Sequence, residues 1–255
     1  MGKNKIRVIV LLLIFGILFL YGCSGQAKKS NSSKDITLSG DPLKVLSDAV
    51  KNLQQLTNFQ AKKTLTVKIN GKETSVNVTD FDTNTSSLFS ISSVYIKNGK
   101  QDVRFKRVHL KNIQYEFDPK SGRWKTIDKG SNGFNFTYGY YTLNRNLAIG
   151  FINDIYSVKD NKFGEFVTNL KEDGTSTINN HRVTIYKYTY SSSDSKRTVN
   201  RNGKIYIGIV NGKSYPLEVY DDKVVKFKKS GTVVENITQI VITNIGKADP
   251  IAFKQ

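Results

Sequence analysis

Few residues of this sequence carry groups that could perform acid–base, nucleophilic or metal chemistry. The 255-residue chain has two histidines, His109 and His181, and one cysteine, Cys23. A single cysteine excludes an internal disulfide and a cysteine-based zinc site, and two histidines far apart argue against a histidine-based metal centre. No G-x-S-x-G, H-E-x-x-H or phosphate-loop pattern occurs. We therefore predict a protein that is not an enzyme, with no catalytic residue, no metal and no cofactor, and with both histidines at the surface or a strand edge.

Two groups of carboxylates are the remaining candidates for chemistry. Asp80 and Asp82 with Asp102, or the adjacent Asp221 and Asp222, could form an acid–base pair or bind calcium. The stretch D-F-D-T-N-T-S supplies oxygen ligands but lacks the glycine and the closing glutamate of an EF-hand loop. Solvation of turns is the other interpretation, and we expect it for both groups.

The N-terminal segment has the features of an export signal. Residues 1–7 are basic, and residues 8–20 form an apolar stretch too short for a comfortable membrane span. Gly22 stands directly before Cys23, and polar residues follow. The segment resembles a bacterial lipobox, a signal in which diacylglycerol is attached to the cysteine thiol and the peptide is cut before it. Tyr21 departs from the small or β-branched residue usual at its position.

This resemblance implies a signal peptide over residues 1–22 and a lipid anchor on Cys23, which places the protein at the extracytoplasmic face of the cell membrane. An uncleaved N-terminal anchor with an incidental cysteine is the alternative. Residues 24–40 are polar and small, so we expect 23–40 to be the lipidated cysteine and a flexible tether of about 20–25 Å. Removal of the signal peptide lowers the net charge from +18 to +15, because it holds three basic and no acidic residues.

Hydropathy patterns predict the elements of the remaining chain. Asp41-Pro42 predicts a helix start, and apolar residues at three- and four-residue spacings continue the helix to Leu56. Beyond Phe59 the period changes to two, and turns such as Asn70-Gly71 separate the strands. About ten antiparallel strands are predicted in total, six of them before residue 128.

Three segments interrupt the strand pattern. Residues 130–141 are rich in glycine and aromatic residues and predict a long loop, and residues 191–201 predict a polar loop. Residues 143–158 predict a second helix, whose apolar stripe consists of Leu143, Leu147, Phe151 and Ile155, with Ile152 as a further candidate.

No composition break or repeat divides residues 41–255, so we predict one domain there. Its class is α+β and mainly β: a large, curved antiparallel sheet, an incomplete half-open β-barrel, with an N-terminal helix and a central helical lid. A sheet of about ten strands curls, and its concave side must be filled. The two helices could fill it as a dry core, or they could enclose a bound apolar molecule.

The order of these elements carries a resemblance. The helix D-P-L-K-V-L-S-D-A-V-K-N-L precedes the hairpin Y-E-F-D-P-K-S-G-R-W-K-T, the strand T-I-N-N-H-R-V-T-I-Y-K-Y-T-Y and the hairpin K-I-Y-I-G-I-V-N-G-K-S-Y-P-L-E-V-Y. Over most of residues 41–250 the chain resembles the LolA/LprG-like superfamily of envelope lipoproteins and lipoprotein carriers. The resemblance implies an incomplete barrel with helices as a lid over an apolar cavity for acyl chains. LolA itself is a soluble shuttle, whereas a lipidated Cys23 would fix this chain to one membrane, so local binding or hand-over of a lipid-like molecule is expected.

Eight apolar residues are our candidates for facing such a hydrophobic ligand: Leu65, Val67, Ile69, Val76, Val78, Leu147, Phe151 and Ile155. The alternative function is a surface interaction module, in which clusters such as Lys196-Arg197 with Arg201 and Lys223–Lys229 bind anionic envelope polymers, lipid headgroups or a partner protein. A nucleic-acid partner is not expected, because the aromatic residues mostly alternate along strands.

Overall fold

A computed structural model describes residues 38, 40–85, 87–128, 136–248 and 251, all of which belong to one compact unit, residues 37–255. The predicted signal peptide, Cys23 and nearly all of the tether lie outside the described residues. Within the described part, neither helix is long and apolar enough to cross a bilayer.

The described residues form two α-helices, thirteen strands and one short 3₁₀ helix, Glu165–Val167. The helices are α1 (Pro42–Gln55) and α2 (Phe136–Ile155). The strands are β1 (Phe59–Ile69), β2 (Lys72–Thr85), β3 (Leu88–Lys97), β4 (Lys100–Leu110), β5 (Ile113–Asp118), β6 (Arg123–Asp128), β7 (Tyr156–Ser157), β8 (Lys162–Phe163), β9 (Lys171–Ile178), β10 (His181–Ser193), β11 (Arg197–Val210), β12 (Lys213–Phe227) and β13 (Val233–Thr243).

Eleven of the strands form one curved antiparallel sheet. Their order is β6-β5-β4-β3-β2-β1-β13-β12-β11-β10-β9, and β7 and β8 pair separately. The pairing of β1 with β13 joins an N-terminal meander to a C-terminal one. Strands β6 and β9 are the two edges, and no described residues of theirs pair with each other, so the sheet stays open. The predicted mainly-β, half-open architecture with an N-terminal and a central helix is confirmed.

The tight turns follow from asparagine–glycine pairs. Asn70 and Gly71 have φ angles of 50° and 77°, and Asn211 and Gly212 have 51° and 77°. A two-residue hairpin of type I′ needs positive φ at both central residues, which asparagine and glycine tolerate best. The turns predicted at these positions are confirmed.

Helix α1 begins where the sequence predicts. The Asp41 side chain accepts a hydrogen bond of 3.1 Å from the backbone N–H of Leu43, which caps the helix. Leu46, Val50 and Leu53 are buried in the core. Asn52 donates a hydrogen bond of 3.0 Å to the carbonyl of Ser214 and so holds α1 against β12.

Helix α2 begins earlier than predicted, because residues 136–141 are helical rather than part of a loop, and it ends at Ile155 rather than at residue 158. Tyr141 is buried, its hydroxyl donates a hydrogen bond of 2.9 Å to the carbonyl of Leu56, and its ring lies 5.5 Å from that of Phe89. Burial of this aromatic side chain outweighs the roughly 1 kcal/mol cost of Gly139 inside a helix.

The apolar stripe predicted for α2 is right at its C-terminal end and wrong at its N-terminal end. Phe151, Ile152 and Ile155 are buried as predicted. Leu143 and Leu147 are 61% and 42% exposed, whereas Arg145 and Ile149 are buried. Arg145 turns inward because it has polar partners there: its guanidinium donates hydrogen bonds to the carbonyls of Leu53 and Gln54, the last turn of α1. A cation at this end of a helix satisfies open carbonyls and complements the helix dipole.

The polar loop predicted for residues 191–201 is largely strand. Strand β10 continues to Ser193 and β11 starts at Arg197, with register pairs that include Ser193 with Thr198. The backbone N–H and C=O groups of these serine and threonine residues pair between β10 and β11. A run of polar residues was therefore not enough to predict a loop.

Candidate functional site

The two faces of the sheet differ in what covers them. Directly opposite residues of antiparallel strands share a face, so the pairs Ala61–Ile242 and Ala61–Phe81 assign one side of β1, β2 and β13 to the face that the helices cover. We call this the helix face and the other side the outer face.

The helix face has a covered half and an open half. The covered half contains the side chains of Phe59, Ala61, Phe81, Phe89, Ile240 and Ile242, which are all buried in the cluster with α1 and α2. The open half continues along the same face through Leu65, Val67, Ile69, Val199 and Val234, which are all partly exposed. Polar residues such as Asn77 and Asn236 stand opposite Leu65 and Val67 in the register. The helices therefore leave accessible one end of a sheet face on which apolar and polar side chains are mixed.

A cleft of about 470 Å³ lies at the border between the two halves. Its floor is formed by Lys63, Leu65 and Thr238 of β1 and β13. Its wall is the side of α2 that carries Asn146, Gly150, Phe151, Asn153 and Asp154. Gly150 keeps this wall free of a side chain, which widens the cleft.

The cleft holds charges of both signs. Lys63, on the floor, donates a hydrogen bond of 3.5 Å to the carbonyl of Leu147, and Asp154 belongs to the wall formed by α2. Burial lowers the pKa of Lys63, and the nearby Asp154 carboxylate partly opposes that shift by favouring the cation. A lysine held on an apolar face beside a carboxylate suits the polar end of an amphipathic ligand.

A buried ionic network borders the cleft. Asp221 is opposite Thr238 in the register and is almost fully buried. Its carboxylate accepts hydrogen bonds from Arg201 Nε at 2.7 Å and from the Tyr188 hydroxyl at 2.6 Å. Burial, followed by the Asp221 charge, raises the pKa of Tyr188, so the phenol stays protonated and remains a donor.

Aromatic rings support the Arg201 side of this network. The Arg201 guanidinium carbon lies 3.8 Å from the ring centroid of Phe166 and 5.0 Å from that of Phe151. Because Phe151 also lines the cleft, Arg201 stands at its border. The cluster predicted for Arg201 with Lys196 and Arg197 is corrected, because Arg201 pairs with a buried carboxylate on the helix face.

The structure brings part of the predicted ligand-facing set together. Leu65 and Phe151 line the same cleft, and Val67 and Ile69 continue from Leu65 along the helix face of β1. Ile155, at the end of α2, is fully buried in the core, whereas the exposed Leu147 side chain lies at the flank of the helix.

Val76 and Val78 do not join that set. They pair with Thr66 and Thr64, so their side chains lie on the outer face, opposite to Leu65. The reason is a β-bulge: the register shifts beside Val67, and the extra residue on β2 inverts every side chain beyond it. An unbulged hairpin around the Asn70-Gly71 turn would place Leu65 opposite Val76.

The candidate carboxylates are separated. Asp80 and Asp82 lie on the outer face with Lys62 and Lys106, around a second hollow of about 550 Å³. Among the described residues, no three His, Cys, Asp or Glu side chains gather to hold a metal.

The neighbouring aspartates of β12 lie on opposite faces. Asp221 faces the helices, whereas Asp222 lies outside, where burial and the Glu235 charge raise its pKa. Adjacent residues of a strand point to opposite faces, so this pair cannot act as a carboxylate dyad.

His109 is a core residue, and its predicted surface or strand-edge position is wrong. Its ring stacks on Phe89 at 4.8 Å and on Tyr140 at 5.6 Å, and Nε2 lies 2.5 Å from the carbonyl oxygen of Lys111. Burial lowers its pKa, and the Lys111 contact partly opposes that shift. Its neighbour Val108, which points to the other face of β4, is also buried, so both faces of the strand are packed at this position.

Neither Lys63 nor Asp154 was predicted from the sequence to line a ligand site, and Arg201 was predicted only as part of a surface basic cluster. Lys63 had a usable signal, since it shares the odd positions of β1 with Phe59, Ala61 and Leu65 and so belongs to the apolar face. Arg201 and Asp154 had none, because their neighbours in space come from distant segments.

No protein-family model matches the sequence, and no curated protein matches it. Among solved structures, the chain is similar to LprF from Mycobacterium bovis at 10% identity and a TM-score of 0.41, over 85% of this chain and 97% of that one. It is similar to the Mycobacterium tuberculosis lipoprotein LppX at 13% identity and a TM-score of 0.37, over 84% of this chain and 100% of that one. It is also similar to a LolA superfamily protein from Nitrosomonas europaea at 9% identity and a TM-score of 0.29, over 84% of this chain and 96% of that one.

Proposed function

We propose that this protein is a membrane-anchored extracytoplasmic lipoprotein that binds, or hands over, a lipid-like or other hydrophobic ligand on the open half of the helix face. The observation that carries the proposal is the abrupt change along β1. Phe59 and Ala61 are buried under the helices, whereas Leu65, Val67 and Ile69 continue the same apolar face without that cover. Apolar surface left accessible next to a packed core commonly marks a binding site.

The cleft gives the ligand a direction. An acyl chain on Leu65 and Val67 would place a polar end in the cleft, between Lys63 and Asp154 and beside Arg201. Because Arg201 is already paired with Asp221, the cleft offers one cation and one carboxylate, Lys63 and Asp154. This pair favours a hydrogen-bonding or zwitterionic head.

The hollow on the outer face is a weaker candidate. Although it is slightly larger, at about 550 Å³, it contains two aspartates and two lysines that compensate one another, Asp80 and Asp82 with Lys62 and Lys106. No helix lies beside it among its described lining residues, so nothing there can shield a ligand from water.

A binding experiment on residues 37–255, the compact unit, tests the ligand. The probe is a fluorescent fatty acid with an environment-sensitive group. Leu65→Asn with Val67→Asn places two amides on the helix face, and we expect at least a tenfold loss of affinity from the lost apolar contact.

The matched control is Val76→Asn with Val78→Asn, which makes the same chemical change in the partner strand on the outer face. The control should bind like the unchanged protein, and urea unfolding of both variants checks that they are folded. Equal affinity of the two double variants would place the ligand elsewhere and overturn the proposal.

The anchor has a separate test. Cells that make the full chain and are fed a labelled fatty acid should incorporate the label, and Cys23→Ser should abolish it and release the protein from the membrane fraction. Retention of the Cys23→Ser protein in that fraction at the size of the uncleaved chain would favour the uncleaved anchor instead.

A further inference from the structure

Four hairpin turns meet at one end of the sheet. Asn70 bonds to Val233 through two contacts, its N–H donating to the carbonyl at 2.8 Å and its side chain accepting from the N–H at 2.9 Å. These contacts place the β1–β2 turn beside the β12–β13 turn. The register of β11 with β12, which pairs Arg197 with Phe227, places the β10–β11 turn at the same end. The β3–β4 turn joins them, since Ile96 pairs with Val76 near the start of β2.

This end is strongly basic. The β10–β11 and β12–β13 turns carry five exposed cations, which we call the basic rim: Lys196, Arg197, Lys226, Lys228 and Lys229. The one carboxylate among them, Asp194, caps its own turn by accepting from the backbone N–H groups of Lys196 and Arg197.

The other two turns at this end add Lys72, Lys97 and Lys100, beside two exposed carboxylates, Glu73 and Asp102. At the opposite end the turns include Asn179-Asn180 and Asn211-Gly212, and the exposed cations there, such as Lys111, Lys213 and Lys247, are fewer. Exposed cations are therefore denser at the end of the sheet that holds the basic rim.

An apolar side chain lies in the middle of the basic rim. Phe227 is 39% exposed and lines a hollow of about 640 Å³ with Ser195, Lys196, Lys229 and Ser230. The open half of the helix face runs out to the same end, where Ile69, opposite Val234, is 40% exposed.

We infer that this end of the sheet docks on an anionic phospholipid bilayer, with Phe227 at the boundary between headgroups and acyl chains and the basic rim on the headgroups. Lysine and arginine near an anionic surface attract it, and an aromatic ring among them gains from leaving water. A soluble polyanion would use the cations but would give an exposed phenylalanine nothing to enter, so the ring favours a bilayer. Docking would bring the open half of the helix face against the membrane, yet it does not depend on ligand binding there.

The experiment uses residues 37–255, which have no anchor, and vesicles of phosphatidylcholine with increasing phosphatidylglycerol. We expect cosedimentation to rise with the anionic fraction and to fall with added salt, since screening shortens the range of the charges to about 10 Å at 0.1 M. Lys196→Gln with Lys229→Gln should weaken binding roughly 25-fold, at about fivefold for each lysine.

The matched control removes two exposed lysines at the opposite end, Lys213→Gln with Lys247→Gln, and changes the net charge by the same amount. It should bind within about twofold of the unchanged protein. Equal loss in both double variants would show a diffuse charge effect and overturn the inference.

The ring has its own control. Phe227→Ser should lose about tenfold in affinity, whereas Phe227→Leu, which keeps an apolar side chain, should retain most of it. If Phe227→Ser binds vesicles normally, and a soluble poly(glycerol phosphate) competes as well as the vesicles do, the basic rim binds polyanions and the bilayer inference is wrong. Unchanged fatty-acid binding by the Leu65 and Val67 variant would overturn the proposed function and leave this outcome untouched, so the two proposals fail separately.

Discussion

The covered and open halves of the helix face are built from the same strands and differ in what lies above them. Along β1, Phe59 and Ala61 pack in the cluster that contains the rings of Phe81 and Tyr141. Farther along the strand, Leu65 still lines the cleft beside α2, but Val67 does not. One strand therefore serves as core at its start and as accessible surface at its end. The difference comes from the length of the helices relative to the strands, because the 11 residues of β1 extend beyond what α1 and α2 cover.

The largest effect that separates the two halves is expected from truncating buried side chains. Phe81→Ala should lower the free energy of unfolding by about 4 kcal/mol, because it removes a ring in contact with Phe59, Phe89 and Tyr141. Val67→Ala, in the open half, should cost about 1 kcal/mol or less. Urea unfolding followed by circular dichroism measures both, and similar costs would mean that the open half is packed in solution.

An intermediate loss of unfolding free energy is expected from a substitution at the border between the covered and open halves. Gly203 lies between Tyr188 and Asp221 in the register, and a Cβ there would stand 2.0 Å from the Tyr188 ring. Gly203→Ala must displace that ring and break its hydrogen bond to the buried Asp221, at a cost of about 3 kcal/mol.

Tyr188→Phe is the comparison for this border variant, because it removes the same hydrogen bond without a clash. It should cost about half as much in the same unfolding experiment. Equal costs would mean that the hydrogen bond, and not the close approach at Gly203, holds this border in place.

The smallest effect concerns pH and the covered half alone. The pKa of His109 is lowered by burial from its ordinary 6.5, so the unfolded chain takes up the proton first. The stability that depends on the neutral ring is full above about pH 6.5 and is lost as the pH falls through that value toward the lower pKa of the folded state, by at most about 1.4 kcal/mol per pH unit.

Removal of the titrating group tests this assignment. His109→Phe, which keeps the stacking on Phe89, should flatten the dependence of unfolding free energy on pH between 7.5 and 5. A His109→Phe protein with an unaltered pH profile would assign the dependence to carboxylates.

Local signals in the sequence predict most of the fold. Asp41 and Pro42 mark the start of α1 because capping and a fixed φ are properties of neighbouring residues, and Asn70-Gly71 marks a turn for the same reason. The sheet follows from strands that such turns join, because chain neighbours become sheet neighbours in an antiparallel meander.

What the sequence did not predict depends on contacts between distant segments. Arg145 looks like a solvent-facing residue until the carbonyls of Leu53 and Gln54 are seen beside it. The predicted stripe of α2 was therefore right for the buried Phe151 and Ile155 but wrong for the exposed Leu143 and Leu147. Val76 and Val78 were assigned to the wrong face relative to Leu65, because one bulged residue inverts a strand and no residue type announces it. An error in the assigned strand face matters most for candidate site residues, because a side chain can line a site only if it points to the correct face of its strand.

The pairing of β1 with β13 also governs how the chain can reach this structure. Gln60 pairs with Thr243, so the two meanders stay separate until the last strand has been made. Contacts this far apart in sequence slow folding, because a long stretch of chain must close before they form. During that interval one edge of β1 is without its partner, and an incomplete sheet with a free edge is prone to aggregate. A newly made chain of this protein is therefore expected to need protection until its C-terminal strand arrives.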